Sequence, residues 1–368
     1  MDPLLELTDL GVSIWLDDLD RHRITSGNLA GLIENSCVRG VTTNPAIFDK
    51  AVSSGAEAYA AQISELAAQG MDVDQVIRRL TTDDVRAACD LFTGLWQQSA
   101  GVDGRVSIEV DPRLANDTAA TIVQAGELWQ QVARANVLIK IPATKAGLPA
   151  ITEAIAAGIS VNVTLIFSVN RYREVIAAYE EGLVRARAAG HDIATISSVA
   201  SFFVSRVDAE VDAQLAAIGT PDATRLRGTA AIANARLAWV AYEEALATRR
   251  WAELAQAGAN PQRPLWASTG VKDPSYDDTR YVVDLATAGC VNTMPESTLA
   301  AVAQHGRVIG DTVRGTGAAA AATWRDLAGQ GIDQGAVCDQ LEVEGVQKFI
   351  DSWEQLRSTV RNAMSGSA

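Results

Sequence analysis

Only five lysines occur in the 368 residues, Lys50, Lys140, Lys145, Lys272 and Lys348, and arginine supplies most of the 31 basic side chains. Acidic residues number 45, which leaves a formal charge of -14. That balance argues against a nucleic-acid or anionic-membrane partner, since either would need a basic face, so a polyanionic ligand must be met by a local basic pocket. The cysteines Cys37, Cys89, Cys290 and Cys338 are scattered without a CxxC pair. Such spacing suits reduced, mostly buried thiols. His22, His191 and His305 are equally dispersed, with no metal-ligand spacing, so no metal is expected. No apolar run reaches the roughly 18 residues of a membrane span. The opening MDPLLELTDL lacks the basic start of a signal peptide, and a cytoplasmic protein is expected.

What is present describes an ordinary folded chain, 48% hydrophobic and 21% charged. Short β-branched segments alternate with amphipathic or alanine-rich ones, the pattern of repeated βα units. Eight strands are expected at about 12–17, 40–43, 105–110, 137–141, 160–165, 195–201, 264–268 and 289–292. Eight parallel strands favour a closed (β/α)8 barrel over an open sheet, because closure leaves no unpaired edge. The whole chain, 1–368, then forms one barrel domain with helical insertions at about 44–101 and 205–262 and a helical tail at about 297–362. In that tail Val346, Phe349, Ile350, Trp353, Leu356 and Val360 recur at steps of three and four. The stripe predicts a long helix packed on the barrel, with a dimer contact as the alternative.

One stretch stands out, NVLIKIPAT at 136–144. Val137, Leu138, Ile139 and Ile141 read as a strand buried on both faces, yet Lys140 interrupts it. A buried ammonium costs several kcal/mol unless it is paired or loses its proton. A lysine snorkelling to water from the strand end is the structural alternative. The general scarcity of lysine favours a chemical purpose, since arginine cannot give up its proton.

In barrels of this kind the chemistry lies at the C-terminal ends of the strands. Asp17, Asn44, Glu109, Lys140, Asn162, Thr164, Ser201, Phe203, Arg206, Ser268 and Lys272 all fall at or near such ends. Singly each has a structural reading: Asp17 as a helix cap, Asn44 as a turn that opens the next helix, Glu109 as a surface carboxylate. Asn162 and Thr164 are two apart and must share a face. A coincidence across seven strand ends points to one site.

These residues also carry a resemblance. The blocks SIWLDDLDR, GVTTNPAIF, VSIEVDP, NVLIKIPAT, ISVNVTLIFS, SFFVSRVD and LWASTGVKDP, spread in order from about residue 13 to 299, resemble the signature blocks of transaldolases, in their longer bacterial branch. The resemblance implies a (β/α)8 barrel that moves a dihydroxyacetone unit from a ketose phosphate to an aldose phosphate in the non-oxidative pentose phosphate pathway. It makes Lys140 the Schiff-base lysine and gives it Asp17, Glu109 and Thr164 as acid-base company. Asn44, Asn162 and Ser201 would hold substrate hydroxyls and Arg206 the phosphate, with sugar phosphates as the partners and a monomer or homodimer as the assembly. One departure is Ser268-Thr-Gly-Val-Lys272, where other branches place an arginine two residues after the serine.

The residues support the same chemistry independently. Cleaving a carbon-carbon bond next to a carbonyl needs an electron sink, which a protonated lysine imine provides without a cofactor. Burial should lower the pKa of Lys140, while Asp17 and Glu109, if close and ionised, should raise it. Three other readings compete. An aldolase would release dihydroxyacetone, and relatives that do so tend to carry Gln and Tyr where this chain has Glu109 and Phe203. A non-catalytic sugar-phosphate-binding barrel is compatible with the fold but gives Lys140, Asp17 and Glu109 no task. A metal-dependent barrel enzyme lacks a histidine at any strand end.

Overall fold

The computed structural model of the protein describes residues 2–366. Eight parallel strands close into a barrel in chain order: β1 (Ser13–Leu16), β2 (Val38–Val41), β3 (Arg105–Glu109), β4 (Val137–Pro142), β5 (Val161–Ile166), β6 (Ser198–Phe203), β7 (Arg263–Ala267) and β8 (Val291–Met294). Each expected strand has a counterpart, shifted by a few residues at several ends. β6 begins later than expected because a 3-10 turn, Ile193–Thr195, occupies the first part of the segment. β8 runs two residues further than expected, to Met294.

The barrel closes because β1 pairs with both β2 and β8. Gly40 permits that closure at one point. A Cβ there would lie 2.6 Å from the Trp15 indole and 2.8 Å from the Arg105 carbonyl, closer than real contacts allow. At the N-terminal ends of the strands the polar groups satisfy one another: Ser13 Oγ donates to Asp103 at 2.7 Å, and Arg263 meets the same carboxylate at 3.0 Å. That end is a structural plug. The opposite end is left for the site.

Between β2 and β3 stand the helices Pro45–Ser54, Ala56–Ala68 and Val73–Gln98, the last opened by a capping box on Asp72 and Gln75. The segment before β7 contains Ser205–Ile218, Pro221–Leu226, Ala230–Leu246 and Arg249–Gln256. Among the described residues no helix is long and apolar enough to cross a membrane.

The tail ends in the helix Gln334–Ser365, 32 residues and so about 48 Å long at 1.5 Å per residue. Its expected stripe is real, with Val346, Phe349, Leu356 and Val360 buried and Ile350 and Trp353 packed beside them. It does not simply lie on the outer helices. Near its start Cys338 Sγ donates to the Phe167 carbonyl at 3.2 Å, just beyond β5, and further on Thr359 Oγ1 donates to Asp49 at 2.7 Å, on the helix after β2. The helix therefore passes across the mouth of the barrel.

Candidate active site

The strand register brings three of the expected residues side by side, because Glu109 pairs with Lys140 and Lys140 with Asn162. Neighbours in register on parallel strands point to the same side of the sheet. Lys140 is only 5% exposed, so snorkelling to water is ruled out. Its Nζ donates to the Thr43 carbonyl at 2.8 Å and to Glu109 Oε2 at 3.2 Å. Glu109 is no surface group, with a side chain 5% exposed. Burial pushes its carboxyl up to about 7, against the opposing pull of Lys140.

Asp17 follows β1 directly, and its N–H donates to the Met294 carbonyl at 2.9 Å, which continues the β1–β8 ladder. It caps no helix; Asp20 does that, accepting from Arg23 N at 2.6 Å. Burial raises the Asp17 carboxyl above the ordinary carboxylate range, opposed by a 2.6 Å hydrogen bond from Thr42 and by the charge of Lys140. Thr42 also meets Thr293 of β8 at 2.6 Å. Two carboxyls with raised pKa thus flank one lysine, an arrangement suited to moving protons near neutral pH.

A cavity of about 170 Å³ opens over Lys140 and is bordered by Asp17, Asn44, Thr164, Ser201, Phe203, Arg206, Ser268 and Lys272, all expected from the sequence. Asn44 has two tasks, because its side chain also accepts from Ile47 N at 3.1 Å and caps the next helix. Thr164 Oγ1 is fully buried and has no hydrogen-bond partner among the described residues. An orphaned hydroxyl beside a cavity is free to hold a water or a substrate oxygen. Next to it Leu165 adopts φ 60°, and the β5–β6 register shifts between Val163 and Ile166. Ser268 also sits in the left-handed region at φ 55°, with its Oγ 2.9 Å from that of Ser205. Non-glycine residues held there mark backbone under constraint.

Two expected residues lie outside this cavity. Asn162 is fully buried, donates to Ser107 at 3.0 Å and accepts from Ser201 at 2.7 Å, which places it beneath the floor. Glu109 instead lines a second cavity, of about 150 Å³, with Asn44, Asp111, Arg113, Gln124 and Trp353. Lys140 thus borders one cavity and its hydrogen-bond partner Glu109 the other, while Asn44 borders both.

At the far side stand Arg206 and Lys272. Neither makes a hydrogen bond or ion pair among the described residues; the Arg206 guanidinium lies 5.4 Å from the centroid of the Phe203 ring. Burial lowers the pKa of both, and for Lys272 the charges of Arg206 and Lys348 add to the effect while Asp17 opposes it. Arg206 opens the helix Ser205–Ile218, whose start has no side-chain cap. Two cations without a hydrogen bond or ion pair among the described residues, one of them in the first turn of a helix, suit an anion. Among the described residues no group of three or more His, Cys, Asp or Glu is placed to hold a metal ion.

Residues 14–360 match the family model described as transaldolase/fructose-6-phosphate aldolase. The chain belongs to this family. It is 59% identical over 366 residues to a transaldolase of Mycolicibacterium paratuberculosis, covering 99% of this chain and 98% of that one. It is 60% identical over 353 residues to a transaldolase of Mycolicibacterium smegmatis, covering 96% and 95%. It is also 59% identical over 366 residues to transaldolase 1 of Streptomyces avermitilis, covering 100% and 97%.

This member of the transaldolase family has site residues that sequence reasoning did not single out: Thr42, Thr293, Pro295 and Phe349 all border the cavity. Thr42 stood in plain sight in the block GVTTNPAIF. Thr293 was hidden by the expectation that β8 ends at 292, while Phe349 showed only as one member of an apolar stripe.

Proposed function

We propose that the chain works as a transaldolase, a transferase that moves a dihydroxyacetone unit from a ketose phosphate, sedoheptulose 7-phosphate or fructose 6-phosphate, to an aldose phosphate, glyceraldehyde 3-phosphate or erythrose 4-phosphate. The family description covers aldolases as well as transaldolases, but relatives close to 60% identical over nearly their full length are named transaldolase. The observation that carries the mechanism is the buried Lys140 Nζ, facing the cavity and held 3.2 Å from a carboxyl whose pKa is about 7. Glu109 is placed to exchange a proton with the lysine through this hydrogen bond.

Neutral Lys140 attacks the ketose carbonyl carbon, and loss of one water gives the protonated imine. Glu109 moves the protons for this step, with Thr164 holding the water. Asp17 then takes the proton of the C4 hydroxyl. The C3–C4 bond breaks, its electron pair moves into the new C2–C3 double bond of an enamine, and the aldose phosphate leaves as an aldehyde. An acceptor aldehyde bonds to the same C3, recovers the proton from Asp17, and one water hydrolyses the imine. Arg206 and Lys272 hold the phosphate, Asn44 and Ser201 the sugar hydroxyls, and Asn162 positions Ser201 from below. The assembly is proposed to be a monomer or a homodimer.

Lys140→Arg tests the assignment, since it keeps the charge and removes the nucleophile. Transfer should fall to a trace while the protein stays folded by circular dichroism. Substantial residual transfer would show that another residue forms the bond. Lys140→Met, which leaves Glu109 free to protonate, guards against a misfolded arginine variant.

A further inference from the structure

The tail helix carries an aromatic ring to the reacting nitrogen. Phe349 is 8% exposed and borders the cavity, and its ring centroid lies 5.7 Å from Lys140 Nζ. The ring is held in place by its helix, which is fastened on both sides of the mouth. Arg171 meets Glu342 at 3.4 Å on one side, and Arg357 meets Asp74 at 2.8 Å on the other. Between these ties Gly345 lets the helix approach closely, since a Cβ there would come within 3.1 Å of Leu165 and 3.3 Å of Phe167. Four residues beyond Phe349, Trp353 lines the second cavity beside Glu109. Within the stripe, then, Phe349 alone borders the chamber over Lys140, while Val346, Leu356 and Val360 are packing residues.

We propose that Phe349 is a specificity-determining residue, whose ring covers the enamine on Lys140 and keeps solvent from protonating it before an acceptor aldehyde arrives. This rests on the imine mechanism above. The enamine has two fates. Bonding of C3 to an aldehyde gives transfer. Protonation of C3 by water restores the protonated imine, the hydroxide left behind takes the proton held on Asp17, and a water then hydrolyses the imine to dihydroxyacetone and free Lys140, which gives simple cleavage. No oxidant or reductant enters either route. Phe203 lies on the same chamber and, packed 5.2 Å from Phe167, offers no acidic proton either. Truncating Phe349 would open a space next to Asp17, Lys140 and Thr42, and a space with such polar neighbours fills with water.

The test compares release of dihydroxyacetone from fructose 6-phosphate alone with transfer onto erythrose 4-phosphate, in one preparation so that unfolded protein cancels. Phe349→Ala should raise the ratio of release to transfer by roughly 3- to 10-fold. In D2O the released dihydroxyacetone should carry one carbon-bound deuterium. Phe349→Leu, which restores apolar bulk, should bring the ratio back toward wild type. Val346→Ala, which loosens the same helix without opening the chamber, should leave the ratio unchanged. If Phe349→Ala does not fold, Phe349→Val carries the same expectation with a smaller rise. An unchanged ratio in the truncated variant overturns the proposal, as does an equal rise in Val346→Ala. Borohydride trapping of the wild type separates the two levels: an adduct on Lys140 with an unmoved ratio defeats the shield alone, and no adduct defeats the imine reading and the shield with it.

Discussion

At the scale of single residues the site depends on buried charge that can be neutralised. Glu109 has a pKa of about 7 in the folded protein against an ordinary value of 4.5. Between those values the native state binds more protons than the unfolded chain, so this group makes stability fall as pH rises from about 4.5 to about 7. Glu109→Gln should flatten that part of the stability curve in urea unfolding; an unaltered slope would mean that the carboxyl titrates normally. On the proposed reading Arg206 binds the substrate phosphate, a contribution common to ground and transition states. Arg206→Ala should therefore raise KM for phosphorylated sugars by roughly 10- to 100-fold with a smaller change in kcat. Equal losses with unphosphorylated sugars would contradict a phosphate role. Phe203→Tyr would add a phenol, both donor and acceptor, at the edge of the chamber. It should raise dihydroxyacetone release relative to transfer, and an unmoved ratio would reduce Phe203 to a wall.

Among the elements, the C-terminal helix is the one through which the proposal couples stability to chemistry. It is tied to both sides of the mouth and brings Phe349 to Lys140, so displacing it should affect both at once. Gly345→Leu is the direct lever, because the added side chain meets Leu165 and Phe167 where a Cβ alone is already tight. Overpacking of this kind costs about 1–3 kcal/mol. The melting temperature should drop, and the release-to-transfer ratio should rise as the helix lifts. A stability loss with an unchanged ratio would show that the helix is a packing element only. The strands, by contrast, hold their residues through register. Asp17, Glu109, Lys140 and Thr164 owe their convergence to the ladders of β1 with β8 and of β3 with β4 and β5.

For the molecule as a whole, the barrel was legible because buried parallel strands are apolar, β-branched and regularly spaced. Lys140 was legible because lysine is scarce and this one breaks such a strand. Other features depend on contacts between distant segments. An apolar stripe says that a helix buries one face but not against what, so the path of the tail helix across the mouth could not be read. Asn162 could be placed on one face with Thr164, but its engagement with Ser107 and Ser201 depends on three strands together. Thr293 was lost to a two-residue error in one strand end. The second chamber beside Glu109 involves helices from three parts of the chain and had no local signal. The proposed imine on Lys140 nevertheless gives the residues placed at this mouth a common task, and it can be trapped. Incubation with fructose 6-phosphate and borohydride, followed by peptide mass mapping, should give a three-carbon adduct on Lys140 and on no other of the five lysines. Active transfer with no adduct, or an adduct on Lys272, would contradict the mechanism.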